Sequence, residues 1–293
     1  MKFLPLGAAL ALCLSAACAS TTATIPHAKR LASAGVAYGK AADALIGATE
    51  ETSVDADSAR LLSEAQGLSR EDRRALLEKH AGTADLVAEL ERLRKHARLL
   101  TRYFEALGNL ADDSVDTEAG TRIDSVADAL NSAGQALSGS KLLSPAETDA
   151  LSKGGKLVVR AVRSQALTRE LTRRADAIDR ELRLQKAMLD ALRRKVQTDL
   201  ASINTLGSER DITRPFLDSI IADERAWIAL RRSYLLSPRK VEALSEASDA
   251  ASKLRSAWAA FVEGKFDEPA RAALLADLDS ILAFAESVKA ATR

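Results

Sequence analysis

Turn-forming residues are scarce in this chain. Only 14 glycines and 6 prolines occur in 293 residues. A β-sandwich, barrel or propeller needs a turn about every 8–12 residues, and this supply is too small for one. Ala, Leu, Arg, Glu and Asp dominate instead, a composition that points to helices. The composition therefore predicts an all-α protein, an elongated helical bundle.

Aromatic residues make up only 4% of the chain, and neither sign of charge is in clear excess. There are 42 Lys and Arg against 41 Asp and Glu, and 47% of the residues are hydrophobic. A protein that binds nucleic acid through its overall charge needs a clear excess of basic residues. A disordered chain would lack the apolar surface that this chain can bury. We therefore expect a folded protein with no nucleic-acid partner.

Cysteine is confined to the first 18 residues, at Cys13 and Cys18. Residues 19–293 thus hold no thiolate nucleophile, no disulfide and no cysteine ligand for a metal. The sequence also lacks the His-Glu-x-x-His, Glu-x-x-His and Gly-x-Ser-x-Gly motifs. It predicts no catalytic residue, no cofactor and no metal site. The chain has three histidines, and they are dispersed: His27, His80 and His96.

A basic residue, an apolar run and small residues follow one another at the N-terminus. Lys2 precedes the apolar run Phe3–Leu14, and the small residues 15–17 come next. This order is typical of a secretory signal peptide. The run is too short to persist as a membrane-spanning helix, which takes about 20 apolar residues. We expect residues 1–17 to be removed during export.

Residues 14–18, Leu-Ser-Ala-Ala-Cys, resemble the lipobox of bacterial lipoproteins, in which small residues precede a lipidated cysteine. The usual pattern has Leu three positions before the cysteine, whereas Ser15 has that place here and Leu14 is one further back. The resemblance implies that Cys18 becomes the acylated first residue, carrying chains such as palmitate that anchor the protein to the membrane. Ala19 follows the cysteine where some enteric lipoproteins have Asp. In their sorting rule this implies the outer membrane, facing the periplasm.

Three alternatives to acylation of Cys18 stay open, one of which is that the apolar N-terminus is a structural part of the protein. Cys13 is the poorer candidate for acylation, because Leu12 directly before it is too large for the cleavage position. The sequence Ala-Cys-Ala at residues 17–19 also fits an ordinary signal-peptidase site, which would leave Ser20 as the first residue. The product would then be a soluble periplasmic protein.

After the leader, the pattern predicts a lipid-anchored tether and two helical segments. The tether covers residues 18–28, and the segments cover 29–140 and 141–293. Their boundary is short and partly apolar, so the two segments can share one core. Ser69, Thr83 and Ser144 are predicted N-caps, and a break is possible at residues 52–57. Apolar periodicity predicts helices over about 27–50, 69–80, 83–110, 123–137, 157–208 and 214–236, and two more that begin near Pro238 and Asp267.

The predicted helix 157–208 is the longest, and we expect Gly207 to end it. Its apolar residues lie three and four apart over about five heptads, which is typical of a coiled coil. Gln185 is the one polar residue in this seam. If it is buried against another helix, substitution by leucine should stabilise the fold. The seam residues are Leu171, Ala175, Ile178, Leu182, Gln185, Leu189, Leu192, Val196, Leu200, Ile203 and Leu206.

Charge is unevenly distributed along the chain. Residues 105–131 carry seven acidic groups and one Arg, whereas residues 160–195 carry eleven basic and five acidic groups. The basic stretch has two interpretations. It could bind an anionic envelope partner such as lipopolysaccharide phosphate or an acidic protein, or it could pack partly against the acidic helix.

These observations favour a non-enzymatic envelope lipoprotein. Its helical body would act as a scaffold or binding surface, tethered to the membrane through Cys18 and facing another envelope protein. The alternative is a periplasmic helical binding protein or enzyme. Its pocket would lie in the aromatic-rich C-terminal third, near Trp227, Tyr234 and Trp258.

Overall fold

The chain is an all-α helical bundle, as its composition predicts. A computed structural model describes residues 24–111, 117–153, 156–159, 165–218, 220–265 and 267–291. Within these residues there is no strand. The α-helices are α1 (Thr24–Glu64), α2 (Arg70–Lys79), α3 (Gly82–Leu110), α4 (Thr117–Ser138), α5 (Pro145–Ser152), α6 (Gln165–Ser202), α7 (Arg214–Asp218), α8 (Glu224–Leu236), α9 (Pro238–Val262) and α10 (Glu268–Ala291).

Helices α1, α3, α6 and α9 surround the centre of the bundle. Helix α4 packs on α3 and α6, and α10 packs on α1 and α9. One continuous apolar core runs through these helices and contains residues from both sides of position 140. Tyr103, Phe104 and Trp258 meet edge to face in it, with ring centroids 5.7–6.2 Å apart. Helix α1 comes close to α3 at Gly35, where a Cβ would fall 2.3 Å from the Phe104 ring.

Helix α1 is longer than the pattern predicts at both ends. It begins at Thr24, inside the expected tether, and it continues through residues 52–57 without a break. Thr52 and Ser53 are buried there, and each has a partner on another helix. Ser53 Oγ donates to Asp199 Oδ2 at 3.0 Å, and Lys240 Nζ donates to Thr52 Oγ1 at 2.8 Å. A polar stretch that resembles a turn in sequence is thus a helical contact face.

Two of the three predicted N-caps are confirmed. Ser69 Oγ accepts from the backbone N–H of Asp72, and Ser144 forms a full capping box with Glu147, followed by Pro145 at the first helical position. The prediction for Thr83 is wrong. Helix α3 begins at Gly82 and has no side-chain cap, because a short turn after α2 leads directly into it.

The predictions for residues 157–236 need three corrections. Helix α6 begins at Gln165 rather than near 157, so α1, with 41 residues, is the longest α-helix described. Gly207 does not end the helical path, which continues through the π-helical turns Ile203–Gly207 and Glu209–Thr213 into α7. The expected helix 214–236 is divided into α7 and α8 by non-helical residues.

Helix α6 buries a face wider than a coiled-coil seam. The apolar seam residues from Leu171 to Leu200 are buried, but four carboxylates are buried beside them. Each carboxylate has a polar or basic partner, as buried charge requires. The four carboxylates are Glu170, Asp179, Glu181 and Asp199.

Three of these carboxylates bind residues of other helices. Asp179 Oδ1 accepts from Arg255 Nε of α9 at 2.7 Å. Asp199 Oδ1 accepts from Arg60 of α1 at 3.0 Å. Glu170 Oε1 accepts from the Tyr103 hydroxyl of α3 at 3.2 Å. Burial raises the pKa of Glu170, although the nearby Arg174 guanidinium and the Tyr103 hydroxyl offset this in part.

The fourth carboxylate belongs to a buried polar cluster around Gln185. His96 is fully buried, and its ring nitrogens lie 2.8 Å from Gln185 Oε1 and 3.1 Å from Glu181 Oε2. Tyr38 Oη and Gln185 Nε2 are buried and have no hydrogen-bond partner among the described residues. Burial raises the pKa of Tyr38, with a smaller opposite effect of the Gln185 side chain. Gln185 therefore connects α6 to α3 and lies close to the phenol of α1.

The contact between His96 and Gln185 reverses the expectation that leucine at position 185 would stabilise the fold. Gln185→Leu removes the oxygen that His96 Nδ1 faces, and a buried unpaired polar group costs about 1–3 kcal/mol. We predict a fall of this size in the free energy of unfolding, measured by urea denaturation.

The matched control is Gln197→Leu, since Gln197 lies on the same helix but is exposed. It should change the free energy of unfolding by less than about 0.5 kcal/mol. A Gln185→Leu protein at least as stable as the wild type would contradict this role of the His96 contact.

Candidate docking surface

Exposed apolar side chains are concentrated in one part of the molecule. Seven of the eleven large hydrophobic residues that are exposed in the described chain lie between positions 216 and 236. They belong to α7, α8 and the residues that connect these helices. We call residues 214–218 and 220–236 the α7–α8 hairpin. The seven residues are Phe216, Leu217, Ile220, Ile228, Leu230, Leu235 and Leu236.

The base of the hairpin is fixed by a polar contact to the end of the α6 path. The Tyr234 hydroxyl donates to Asp211 Oδ2 at 2.9 Å, and Arg210 forms two hydrogen bonds with the same carboxylate. The Arg210 hydrogen bonds lower the pKa of Asp211, whereas burial and Asp211 raise the pKa of Tyr234 to about 12. The Tyr234 ring lies so close to Gly207 that a Cβ there would fall 2.3 Å from Tyr234 Oη.

A second contact holds the hairpin nearer its tip. Trp227 Nε1 donates to the carbonyl oxygen of Ile212 at 3.3 Å. The Trp227 ring stacks on Phe216, with centroids 5.5 Å apart and an interplanar angle of 21°. Arg231 lies 5.9 Å from the centroid of the Trp227 ring, within reach of a cation–π contact. These contacts order the hairpin while its aliphatic side chains face outward.

A groove of about 290 Å³ separates the hairpin from the C-terminal part of α1. Helix α1 contributes Thr52, Ala59 and Leu62 to its walls, and α8 contributes Leu230 and Tyr234. The groove therefore places the hairpin beside the end of α1 that is remote from Thr24.

Basic side chains without an acidic partner accompany the exposed apolar residues. Arg225, Arg231, Arg232 and Arg239 are all exposed, and none forms an ion pair with a described residue. The basic stretch 160–195 differs, because most of its cations are paired.

The paired cations of α6 explain the charge asymmetry of the sequence. Arg173 and Arg174 pair with Asp124 of α4 at 2.8 and 2.7 Å, and Arg174 also reaches Asp128. Arg194 pairs with Glu147 of α5 at 2.7 Å. The acidic helix and the basic helix thus pack together, which favours the packing interpretation of the basic stretch over an anionic partner there.

The three aromatic residues of the alternative function do not form one pocket. Trp258 is fully buried, and its Nε1 donates to the carbonyl oxygen of Ala175 at 3.0 Å. Tyr234 lines the groove beside α1, and Trp227 stacks on Phe216 outside it. Tyr234 lines a groove at the surface, whereas Trp258 is part of the core.

The predicted lipidation site lies outside the described residues. The described residues do not include Cys18, the leader before it, the acidic segment 112–116 or the glycines at 154 and 155. Among the residues that are described, His, Asp and Glu form no group of three that could bind a metal ion. No described helix is long and apolar enough to cross a membrane.

Comparison with protein-family models, with curated proteins and with solved structures finds no match for the chain. Its function is therefore inferred from its own residues.

Sequence periodicity did not reveal the hairpin surface. Leu217, Ile220 and Leu230 belong to the apolar pattern that predicts the helix 214–236, but they are 72%, 95% and 39% exposed. Adjacent apolar residues at 216–217, 220–221 and 235–236 do not mark this surface either, because the adjacent pairs Leu99–Leu100 and Tyr103–Phe104 of α3 are buried.

The close approach at Gly207 makes a testable prediction. Gly207→Ala should displace Tyr234 and loosen the hairpin from the end of α6, because the added methyl group overlaps the phenol. We expect a loss of about 1–3 kcal/mol in the free energy of unfolding. Amide hydrogen exchange in residues 224–236 should become faster.

Gly82→Ala provides the control, since a Cβ at Gly82 would meet no atom within 4 Å. This variant should keep the exchange rates of the hairpin unchanged. Equal exchange in the wild type and Gly207→Ala would show that the Tyr234 contact does not hold the hairpin.

Proposed function

We propose that this chain is a cell-envelope lipoprotein whose helical body serves as a non-enzymatic scaffold with an exposed docking surface. Cys18 carries the lipid anchor and holds the body at the outer membrane, facing the periplasm. The α7–α8 hairpin is the docking surface of this scaffold.

The observation that carries this proposal is the separation of a filled core from an exposed apolar surface. The core consists of interlocked apolar side chains and paired charges, including the fully buried His96 and Trp258. The hairpin places seven large apolar side chains in solvent beside unpaired guanidinium groups. Large exposed apolar patches on soluble domains commonly mark sites of protein or membrane binding.

The leader supports the location in the envelope. The small residues before Cys18 and the absence of any later cysteine suit a chain whose single acceptor thiol follows the signal peptide. Acyl chains on that cysteine supply enough apolar surface for stable anchoring. The body itself then needs no membrane-spanning helix.

Substitution of the acceptor cysteine tests the anchor. Cys18→Ser removes the thiol that the acyl chain requires, so the protein should move from the membrane fraction to the soluble periplasmic fraction. Incorporation of labelled palmitate, measured on the immunoprecipitated protein, should fall to background.

Cys13→Ser is the matched control, because it changes the other cysteine of the leader in the same way. It should leave fractionation and labelling as in the wild type. Labelled palmitate on the Cys18→Ser protein would refute the assignment of the anchor.

A further inference from the structure

The tip of the α7–α8 hairpin projects from the protein surface. Phe216, Leu217 and Ile220 are 62%, 72% and 95% exposed. At 95% exposure, Ile220 has almost no protein on any side. A protein partner would need a cavity shaped to receive these side chains, whereas the acyl region of a bilayer accepts projecting apolar groups without a matching shape.

The polar groups around the tip fit the headgroup region of a membrane. Arg225 and Arg232 of the hairpin form no ion pair with a described residue and offer guanidinium groups to lipid phosphates. The hairpin also carries Asp218, Asp223 and Glu224. Asp223 accepts from the backbone N–H of Ala226 and lies with Glu224 at the N-terminus of α8, where the helix dipole offsets negative charge. Trp227 has an amphipathic ring of the kind enriched at membrane–water boundaries. Charge and apolar side chains therefore occur together as they do in peripheral membrane-binding helices.

The hairpin lies far from the proposed lipid anchor along helix α1. Residues 19–23 separate Cys18 from α1, so the anchor can lie at most about 20 Å from the first turn of the helix. The groove beside the hairpin reaches α1 at Ala59, about 50 Å further along the helix axis at 1.5 Å per residue. Anchor and hairpin thus lie near opposite ends of α1.

We propose that the α7–α8 hairpin is a second membrane contact, which inserts Phe216, Leu217 and Ile220 into an anionic phospholipid leaflet. This inference deepens the proposed function. It rests on that function for one point, namely that the lipid anchor keeps a membrane within reach of the hairpin. An acyl anchor at one end alone would leave the bundle free to pivot. The second contact holds α1 along the membrane surface, and the anchor favours it by raising the local concentration of lipid.

The two tryptophans of the chain allow the contact to be observed directly. Trp227 belongs to the hairpin and is partly exposed, whereas Trp258 is fully buried in the core. Brominated acyl chains quench indole fluorescence only at short range. Quenching by brominated vesicles therefore reports on Trp227 with Trp258 as an internal reference.

The experiment uses the full chain purified from cells, as wild type and as Cys18→Ser. Each is titrated with brominated vesicles of phosphatidylcholine alone or of three parts phosphatidylcholine to one part phosphatidylglycerol. We expect quenching of Trp227 on the mixed vesicles and much weaker quenching on phosphatidylcholine. With Cys18→Ser, about tenfold more lipid should be needed for half-maximal quenching.

Two double variants test separately the insertion of apolar side chains and the attraction of the arginines to lipid phosphates. The double variant Leu217→Asp, Ile220→Asp should require at least about tenfold more lipid, because it replaces two inserted apolar side chains. The double variant Arg225→Gln, Arg232→Gln should weaken binding to the mixed vesicles by roughly fivefold per charge. Neither pair stacks on Trp227, so its fluorescence in solution should be unchanged.

The matched control is the double variant Leu77→Asp, Val158→Asp. These residues are 59% and 71% exposed but lie outside the hairpin. This variant should bind and be quenched as the wild type is. Equal quenching of the control and the tip variant, or equal quenching on both kinds of vesicle, would overturn the proposal. So would a dimer in sedimentation that the tip variant abolishes, because the occupant would then be a second copy of this chain.

Failure of the anchor and failure of the hairpin give different results. If the wild type carries no acyl chain but Trp227 is quenched on mixed vesicles, the anchor assignment fails and the hairpin contact stands. If the acylated protein binds vesicles while Trp227 remains unquenched, the hairpin contact is refuted and the anchor stands.

Discussion

The burial of charge on α6 is the constraint on which the rest of the bundle depends. A carboxylate that is taken out of water without a partner is strongly destabilising. Each of the four buried carboxylates has a basic partner on α6 itself, and further hydrogen bonds connect it to a neighbouring helix. Asp199 accepts from Ser53 and Arg60 of α1, and Asp179 accepts from Arg255 of α9. Glu170 accepts from Tyr103 of α3, and Glu181 lies beside His96 of α3. These contacts between helices therefore favour one axial position of each neighbouring helix against α6.

The same constraint explains why the polar residues of several helices are not on the surface. Thr52 and Ser53 interrupt an apolar pattern in α1, and Gln185 interrupts the seam of α6, yet all three are buried. Their partners lie between about 90 and 190 positions away in the sequence. Helix α4 is a further example, because its Asp124 and Asp128 form ion pairs with Arg174 across the interface between α4 and α6. Matching between distant segments fixes the arrangement of the bundle.

The fold class and several helix boundaries could be predicted because they depend on local signals. Composition indicates helices, and Ser144 with Pro145 and Glu147 forms a cap whose partners lie within four residues. The continuity of α1 through residues 52–57 could not be predicted in this way, since Asp199 and Lys240 supply the contacts that bury the polar face. Gln185 was correctly placed in the interior, but its effect on stability depends on His96, which no spacing along α6 reveals.

In the α7–α8 hairpin, the sequence pattern predicts burial that the structure does not show. Helical periodicity identifies a face that can be buried, but burial also requires another element to cover it. Leu217 and Leu230 satisfy the first condition and lack a cover within the described residues. Whether an apolar face of a helix becomes part of the core or remains an exposed surface thus depends on the tertiary structure.

The two π-helical turns between α6 and α7 determine the direction in which the hairpin tip points. A π-helical turn contains one residue more than an α-helical turn, with hydrogen bonds from residue i to i+5. Loss of one residue between Ile203 and Thr213 would convert such a turn into an α-turn. The start of α7 would then turn by about 100° around the α6 axis. The number of residues in this short segment therefore sets the direction of the apolar tip, whereas α9, which follows the hairpin, is held in the core by the contact of Trp258 with Ala175.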